Sequence, residues 1–413
     1  MIKKSILIVS ILFTVITSAQ ENVASPYSFY GIGLMKFKGT VENRSMGGLS
    51  IYTDSIHVNL QNPASYGNLE LTTYTIGASH KEIDFKSNGG EEHSSSSSID
   101  YLAIGIPAGK FGFGFGLMPF SSVGYRLTDI TPEAENRYYG RGGINRVFLS
   151  AGYQINDNFR LGLEANYNFG NIYNKSLLMQ STVQYGTREV NTTNLTGFSY
   201  RLGLNYINNI SENLEFRASA YFTPSTDISS ENEREISTVL FDVNGNDLAV
   251  DTHDLETQNS DMALPTQYSL GAGFGKKNKW FLGMEYSQIG ASEFTNRSFT
   301  VDDASFENAS SYKIGGFLVP EYNSLTNYFK KITYRAGFRF EETGLVKANE
   351  PINEFGISFG VGLPVGSWFS NANLGVEYGQ RGTTAAGLVK EEFFNFSISL
   401  SLNDKWFVKR KFD

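Results

Sequence analysis

The chain has 413 residues, 42 glycines, 14% aromatic residues, only 18% charged residues, no cysteine and a formal net charge of −8. Without cysteine there is no disulfide framework and no thiol chemistry, and the acidic balance excludes a nucleic-acid partner. No segment holds about 20 consecutive apolar residues, which excludes membrane-spanning helices.

Lys3 and Lys4 form a basic start, Ser5 to Thr17 is an uncharged apolar stretch of 13 residues, and Ser18-Ala19 offers small residues for cleavage. This order predicts a removable export signal over 1–19. Removal takes away two lysines, so the mature charge is −8 − 2 = −10.

Residues 20–67 are rich in glycine and turn formers, and they show no long alternation. They contain Tyr30-Gly31-Ile32-Gly33, then Met46, Gly47 and Gly48, then Asp54, then Asn62, Pro63 and Ala64. Adjacent glycines permit positive φ and close backbone approach. Asn-Pro makes a rigid turn.

From residue 68 to 402 the dominant signal is a period of two. Phe355, Ile357, Phe359, Val361 and Leu363 alternate with Glu354, Gly356, Ser358, Gly360 and Gly362; Phe394–Leu402 and Phe159–Phe169 read alike. Strands place alternate side chains on opposite faces, so each segment has an apolar face and a polar or tiny one.

Fourteen such segments are expected, near 69–85, 96–108, 111–127, 137–154, 158–173, 194–208, 213–228, 265–276, 279–291, 309–318, 329–343, 353–364, 371–381 and 389–402. Short connections such as Ala108-Gly109-Lys110 alternate with longer polar ones at 86–95, 128–136, 174–193, 229–264, 292–308 and 344–352. That rhythm predicts an all-β chain, a transmembrane antiparallel β-barrel of about fourteen strands in the cell outer membrane, with the short turns periplasmic. The 319–328 connection is long for a periplasmic turn. Trp280, Trp368 and Trp406 all fall at the short-turn rim, where tryptophan marks the membrane interface.

By parity, Arg146, Arg160, Glu164, Arg201, Glu215, Arg217, Glu285, Arg335, Arg339, Glu354 and Glu377 face the lumen. Their mixed signs suit salt bridges to one another and to the N-terminal segment, with ion selectivity as the alternative. Pro119 falls on the lipid-facing parity after Phe111, Phe113, Phe115 and Leu117, with Met118 and Phe120 inward beside it. A proline cannot donate to a ladder, so it weakens pairing there or ends it.

His57, His80, His93 and His253 have no metal-ligand spacing, and nucleophile elbows, phosphate loops and zinc signatures are missing, so neither enzyme activity nor a cofactor is expected. Asp242 to Asp247 reads as a hairpin tip. Residues 403–413 form a tail ending in the basic Lys409-Arg410-Lys411, either solvated or contacting a partner or anionic head groups.

Met46-Gly47-Gly48, Asp54 and Asn62-Pro63-Ala64, in this order ahead of the first strand, resemble the long-chain fatty-acid transporter family of outer-membrane proteins. The chain end resembles related barrels from the Bacteroidota. The resemblance implies a fourteen-stranded barrel with an N-terminal hatch in its lumen, and a kinked third strand that opens the wall near Met118, Pro119 and Phe120. Two functions follow as expectations. One is passive uptake of a hydrophobic small molecule through hatch and wall. The other is a non-transporting barrel subunit of a multi-protein outer-membrane machine, for protein secretion or barrel assembly. Outer-membrane lipid surrounds the barrel in either case.

Overall fold

The computed structural model describes residues 24–242, 246–293, 303–366 and 370–406. The export signal, Trp368 and the basic tail Lys409-Arg410-Lys411 lie outside the described residues.

Fourteen antiparallel wall strands close into one barrel. They are β1 (Thr72–Ser87), β2 (Gly90–Ala108), β3 (Phe111–Ile130), β4 (Ala134–Gln154), β5 (Phe159–Gln180) and β6 (Gly186–Ser211). Then come β7 (Leu214–Thr223 and Thr226–Phe241), β8 (Asp247–Leu255, Ser260–Leu264 and Gln267–Lys276), β9 (Trp280–Ile289) and β10 (Ala304–Phe306 and Ala309–Leu318). The ring is completed by β11 (Thr333–Lys347), β12 (Glu350–Val365), β13 (Ser370–Arg381) and β14 (Lys390–Asp404). Closure is the β14–β1 ladder, from Lys390 opposite Lys86 to Asp404 opposite Thr72.

Each of the fourteen expected segments overlaps one wall strand. Alternation also sets the faces. Phe111, Phe113, Phe115 and Leu117 are exposed, whereas Gly112, Gly114, Gly116 and Met118 between them are buried. Phe394, Phe396, Ile398, Leu400 and Leu402 likewise point out, against buried Asn395, Ser397, Ser399 and Ser401. Such an apolar outer belt is stable only against lipid.

The expected long polar connections are different. Residues 91–95, with the start of the serine run, continue the β1–β2 ladder to a tight turn at Ser87–Gly90. The 128–136, 174–193 and 344–352 stretches are also mostly strand, and 229–264 is largely a paired hairpin. The ladder persists in these stretches while its hydrophobic alternation fades, although Leu177, Thr193, Val239 and Ile352 stay buried. On the opposite rim, the connection between β10 and β11 is a true loop with one 3-10 turn, Tyr328–Lys331.

The N-terminal segment from Ala24 to Leu71 contains only short turns and a two-residue strand, Leu34–Met35. Thr40 and Asn43 form a capping box around Val41–Arg44. Asn62 caps the 3-10 turn Pro63–Asn68 by accepting from the Ala64 N–H, with proline in the first turn. Most of the segment is buried, residues 33–38 are half-buried, and only Glu70 is exposed.

Candidate functional site: the N-terminal segment and the wall it rests on

Two rows of glycine, on opposite walls, receive the two motifs of the N-terminal segment. Gly112, Gly152, Gly162 and Gly203 are register neighbours across β3, β4, β5 and β6. A β-carbon on Gly112 would lie 1.9 Å from the Tyr66 carbonyl oxygen, on Gly162 2.2 Å from the Pro63 carbonyl carbon, and on Gly203 2.0 Å from Asn62 Oδ1. Gly273, Gly283, Gly315 and Gly337 form the other row, across β8 to β11. A β-carbon on Gly315 would meet the Met46 carbonyl oxygen at 2.3 Å, and one on Gly337 the Gly47 nitrogen at 2.1 Å. Only hydrogen fits where these backbones touch the wall.

The motif residues use this closeness. Asn62 is fully buried, and its Nδ2 reaches the carbonyl oxygens of Leu204 (3.1 Å) and Ala220 (3.0 Å) and the Ser219 hydroxyl (2.8 Å). Ala64 is also fully buried. Gly47 and Gly48 take φ of 70° and 87°, and the Gly47 N–H donates to Ser358 Oγ at 3.0 Å. Met46 packs with Leu49, Ile51 and Phe281.

Asp54 holds His57 through an Oδ2–Nδ1 contact of 2.6 Å and accepts the Ile56 and His57 N–H groups at Oδ1. Burial pushes the Asp54 carboxyl up, but the His57 imidazolium and these bonds outweigh it and hold the group down at about 2. Burial opposes charge on His57 too, yet Asp54 raises it above its ordinary value. His57 Nε2 lies 3.3 Å from Asn371 Nδ2 of β13.

The eleven inward charges divide by what they hold. Glu164 pairs with Lys38, Glu377 with Arg44 (2.9 Å), and Glu285 accepts both N–H and Oγ of Ser50 at 2.7 Å. Arg201 donates to the Gln61 carbonyl at 3.0 Å. Arg217 donates to the Thr53 carbonyl, pairs with Glu215 and covers the Tyr52 ring at 4.3 Å. These six residues therefore bind the segment directly or through a partner. Arg146 stacks on Phe120 at 4.0 Å and donates to Asn168 at 2.7 Å. Arg335 donates to Asn373 at 3.0 Å, which donates to Glu42 of the segment at 2.8 Å. Arg339 joins Glu354, Glu377 (2.7 Å) and Glu341 (3.0 Å). Arg160 instead caps the nearby turn at the Asp157 carbonyl, 3.2 Å away.

Parity also identifies Lys313, Arg381 and Glu391 as inward groups, although the sequence reading above omits them. Lys313 pairs with Glu285 at 3.0 Å, and Arg381 with Glu354 and with Glu391 at 3.3 Å. Lys38 and Arg44 had no detectable signal, because the segment that carries them has no period.

Next to Pro119 the wall changes. The β2–β3 ladder stops at Leu102 opposite Leu117. Phe120 is an extra residue between Pro119, opposite Asn145, and Ser121, opposite Ile144. From Phe120 to Tyr125 both faces of β3 are buried. The freed β3 edge pairs with the N-terminal segment, Leu34 opposite Ser122 and Met35 opposite Ser121. The Lys36 N–H donates to the Phe120 carbonyl and the Ser25 N–H to the Gly124 carbonyl, both at 2.9 Å. Phe120, Val123, Tyr125 and Ile32 then pack on inward Ile144, Ile172, Leu195, Ile228, Met262 and Leu264. This part of the lumen is apolar, unlike the polar or tiny inward faces that alternation gives elsewhere, and it is packed with the chain's own side chains. Met118 joins a separate buried cluster with Tyr66 and Phe148.

The lumen keeps a cavity of about 330 Å³ over the segment, lined by Pro119, Met35, Phe37 and a charged set including Lys36, Lys38, Arg44, Lys81, Arg339, Arg381, Asp100 and Glu354. Burial pushes the Lys36 ammonium down to about 8. Trp280 sits half-buried at the start of β9, and Trp406 packs against Tyr74 with ring centroids 5.5 Å apart.

Solved structures with the same fold include a FadL homologue of Pseudomonas aeruginosa (TM-score 0.60, 12% identity, 91% of this chain and 100% of that one). The toluene transporter TodX of Pseudomonas putida aligns at TM-score 0.55 and 14% identity, over 90% of this chain and 99% of its own. A TodX mutant, a monoaromatic hydrocarbon channel, aligns at TM-score 0.61 and 16% identity, over 90% and 99%. No curated protein matches the chain. The model of the BamG family matches residues 1–413, the entire length, and the chain belongs to the BamG family.

Proposed function

We propose that this protein is a non-transporting barrel subunit of a multi-protein outer-membrane machine. The carrying observation is the way the lumen is filled. The N-terminal segment is bonded to both walls, and the broken β2–β3 seam is occupied by Leu34 and Met35 on its β3 side. The remaining cavity has a mixed lining, in which Lys36, Lys38, Arg339 and Glu354 stand among Met35, Phe37, Phe306 and Phe393, so a hydrophobic solute would have to pass charged groups. Membership of the BamG family is compatible with the same reading. In this account residues 20–67 are a permanent plug, residues 68–402 the scaffold and the exposed rims the docking surfaces.

One observation favours the second reading, uptake of a hydrophobic compound through a hatch and a lateral opening. The ladder ends beside Pro119, with Met118 and Phe120 next to it, as a side exit requires. The fold is also that of channels such as TodX, a toluene transporter. Mild solubilisation of the native membrane followed by affinity purification separates the readings. Stoichiometric outer-membrane proteins copurifying with the chain are expected. A lone barrel that takes up apolar solutes would reject the subunit.

A further inference from the structure

The outer wall is not uniformly bulky. Leu282, Gly316, Ala336 and Phe359 are register neighbours across β9 to β12, and all belong to the outward row. Two small residues thus lie between two large ones that are 57% and 56% exposed. Leu318 and Tyr334 bound this depression on the side of the short-turn rim. The recess has a volume of about 660 Å³ and an almost wholly carbon surface. Its floor is fixed by backbone, since a β-carbon on Gly316 would lie 1.9 Å from the Phe281 carbonyl oxygen.

The rim directly below is predominantly basic. The β8–β9 turn holds Lys276, Lys277 and Lys279, and the β10–β11 connection holds Lys330 and Lys331 against a single Glu321. The two are joined, because the Val319 N–H donates to the Lys279 carbonyl at 2.7 Å. Lys276 is bound by Asn213, and Lys330 by Glu321 at 3.0 Å. Lys277, Lys279 and Lys331 are in no ion pair among the described residues. From Lys279 to Leu282, at about 3.4 Å per residue, is roughly 10 Å along the strand. An acyl chain in the recess would therefore carry its phosphate to these lysines.

We infer that this face binds an anionic glycerophospholipid of the bilayer, with acyl chain in the Gly316–Ala336 recess and phosphate on Lys277, Lys279 and Lys331. Charge complementarity selects that occupant over the apolar face of another protein, which would leave the lysines unanswered. It also accounts for the unusual length of the β10–β11 connection, whose Leu325 and Phe329 are 95% and 70% exposed and suit insertion among head groups.

The test uses the full chain in maltoside micelles and native mass spectrometry, with dioleoylphosphatidylglycerol or dioleoylphosphatidylcholine added. Wild type should retain phosphatidylglycerol on the order of a hundredfold better, the combined effect of three lysines near the surface. K277S/K279S/K331S should erase the preference, and A336F should reduce retention of bound lipid. Equal retention of the two lipids by wild type, or a preference that survives the triple substitution, would overturn the site. Unchanged retention in A336F, or a copurifying protein that A336F displaces while lipid stays, would overturn the recess as the acyl position. All four positions are surface ones, and unchanged heat-modifiable gel migration verifies folding. The result is independent of whether the barrel works as a subunit.

Discussion

Gly162 leaves no room for a side chain beside Pro63: a β-carbon there would sit 2.2 Å from the proline carbonyl carbon and equally close to the Ala64 nitrogen. The contact lies at the centre of a four-strand glycine row, so the motif and the wall are fitted to each other. Gly162→Val should expel the Asn62–Asn68 turn while the ladders of β5 survive. Limited proteolysis checks this, with faster cleavage inside residues 24–71 and an intact barrel fragment. Gly89→Ala, where the nearest atom is 3.6 Å from the added carbon, should behave as wild type.

Asn62→Ala removes both a cap and the bonds to β6 and β7. Loss of the cap costs about 1 kcal/mol, and the stranded buried acceptors about 1–3 kcal/mol more. The urea midpoint of segment protection should fall accordingly, with little change in the global midpoint of the barrel.

Arg339 is the junction of the lumen charges, holding Glu354 and Glu377, both 3% exposed. Arg339→Met leaves buried Glu354 with Arg381 alone and Glu377 with Arg44 alone, so the cost should fall below the ~3–5 kcal/mol of a fully stranded charge. Glu354→Gln in the same chain should restore part of that loss. Thermal unfolding followed by heat-modifiable migration measures both.

The Asp54–His57 pair gives a pH signature. The Asp54 contribution is present above its ordinary 3.8 and is lost as pH falls through about 2. The His57 contribution is complete below its ordinary 6.5 and is lost as pH rises through the higher folded value. Protection of residues 50–60 from protease should therefore be greater at pH 5.5 than at pH 9. In His57→Gln that difference should vanish.

Much of this was legible from side-chain order. Period two identified the wall because lipid on one face and lumen on the other impose opposite demands on neighbours such as Phe113 and Gly114. The same rule turned Glu164, Glu354 and Arg217 inward. It failed where both faces are polar, so Glu91 to Ser95 looked like a loop although they are paired with β1. It also could not show the inward apolar patch of Ile144, Ile172 and Leu195. Those residues meet the displaced β3; Pro119 marks the ladder's end at Leu102 and Leu117, but not which residues the displaced strand would meet. The partners of Lys38 and Arg44 are set by tertiary approach alone.

The central claim is that the N-terminal segment is a fixed part of the barrel and not a moving gate. Leu34 and Ser122 are opposed in an antiparallel pair, a spacing that accepts a disulfide, and the chain has no other cysteine. The direct measurement is growth and complex recovery of cells in which L34C/S122C is the only copy, oxidised against reduced. The account predicts equal growth and an unchanged complex when the bridge is closed. Loss of function on oxidation, reversed by reductant, would contradict it.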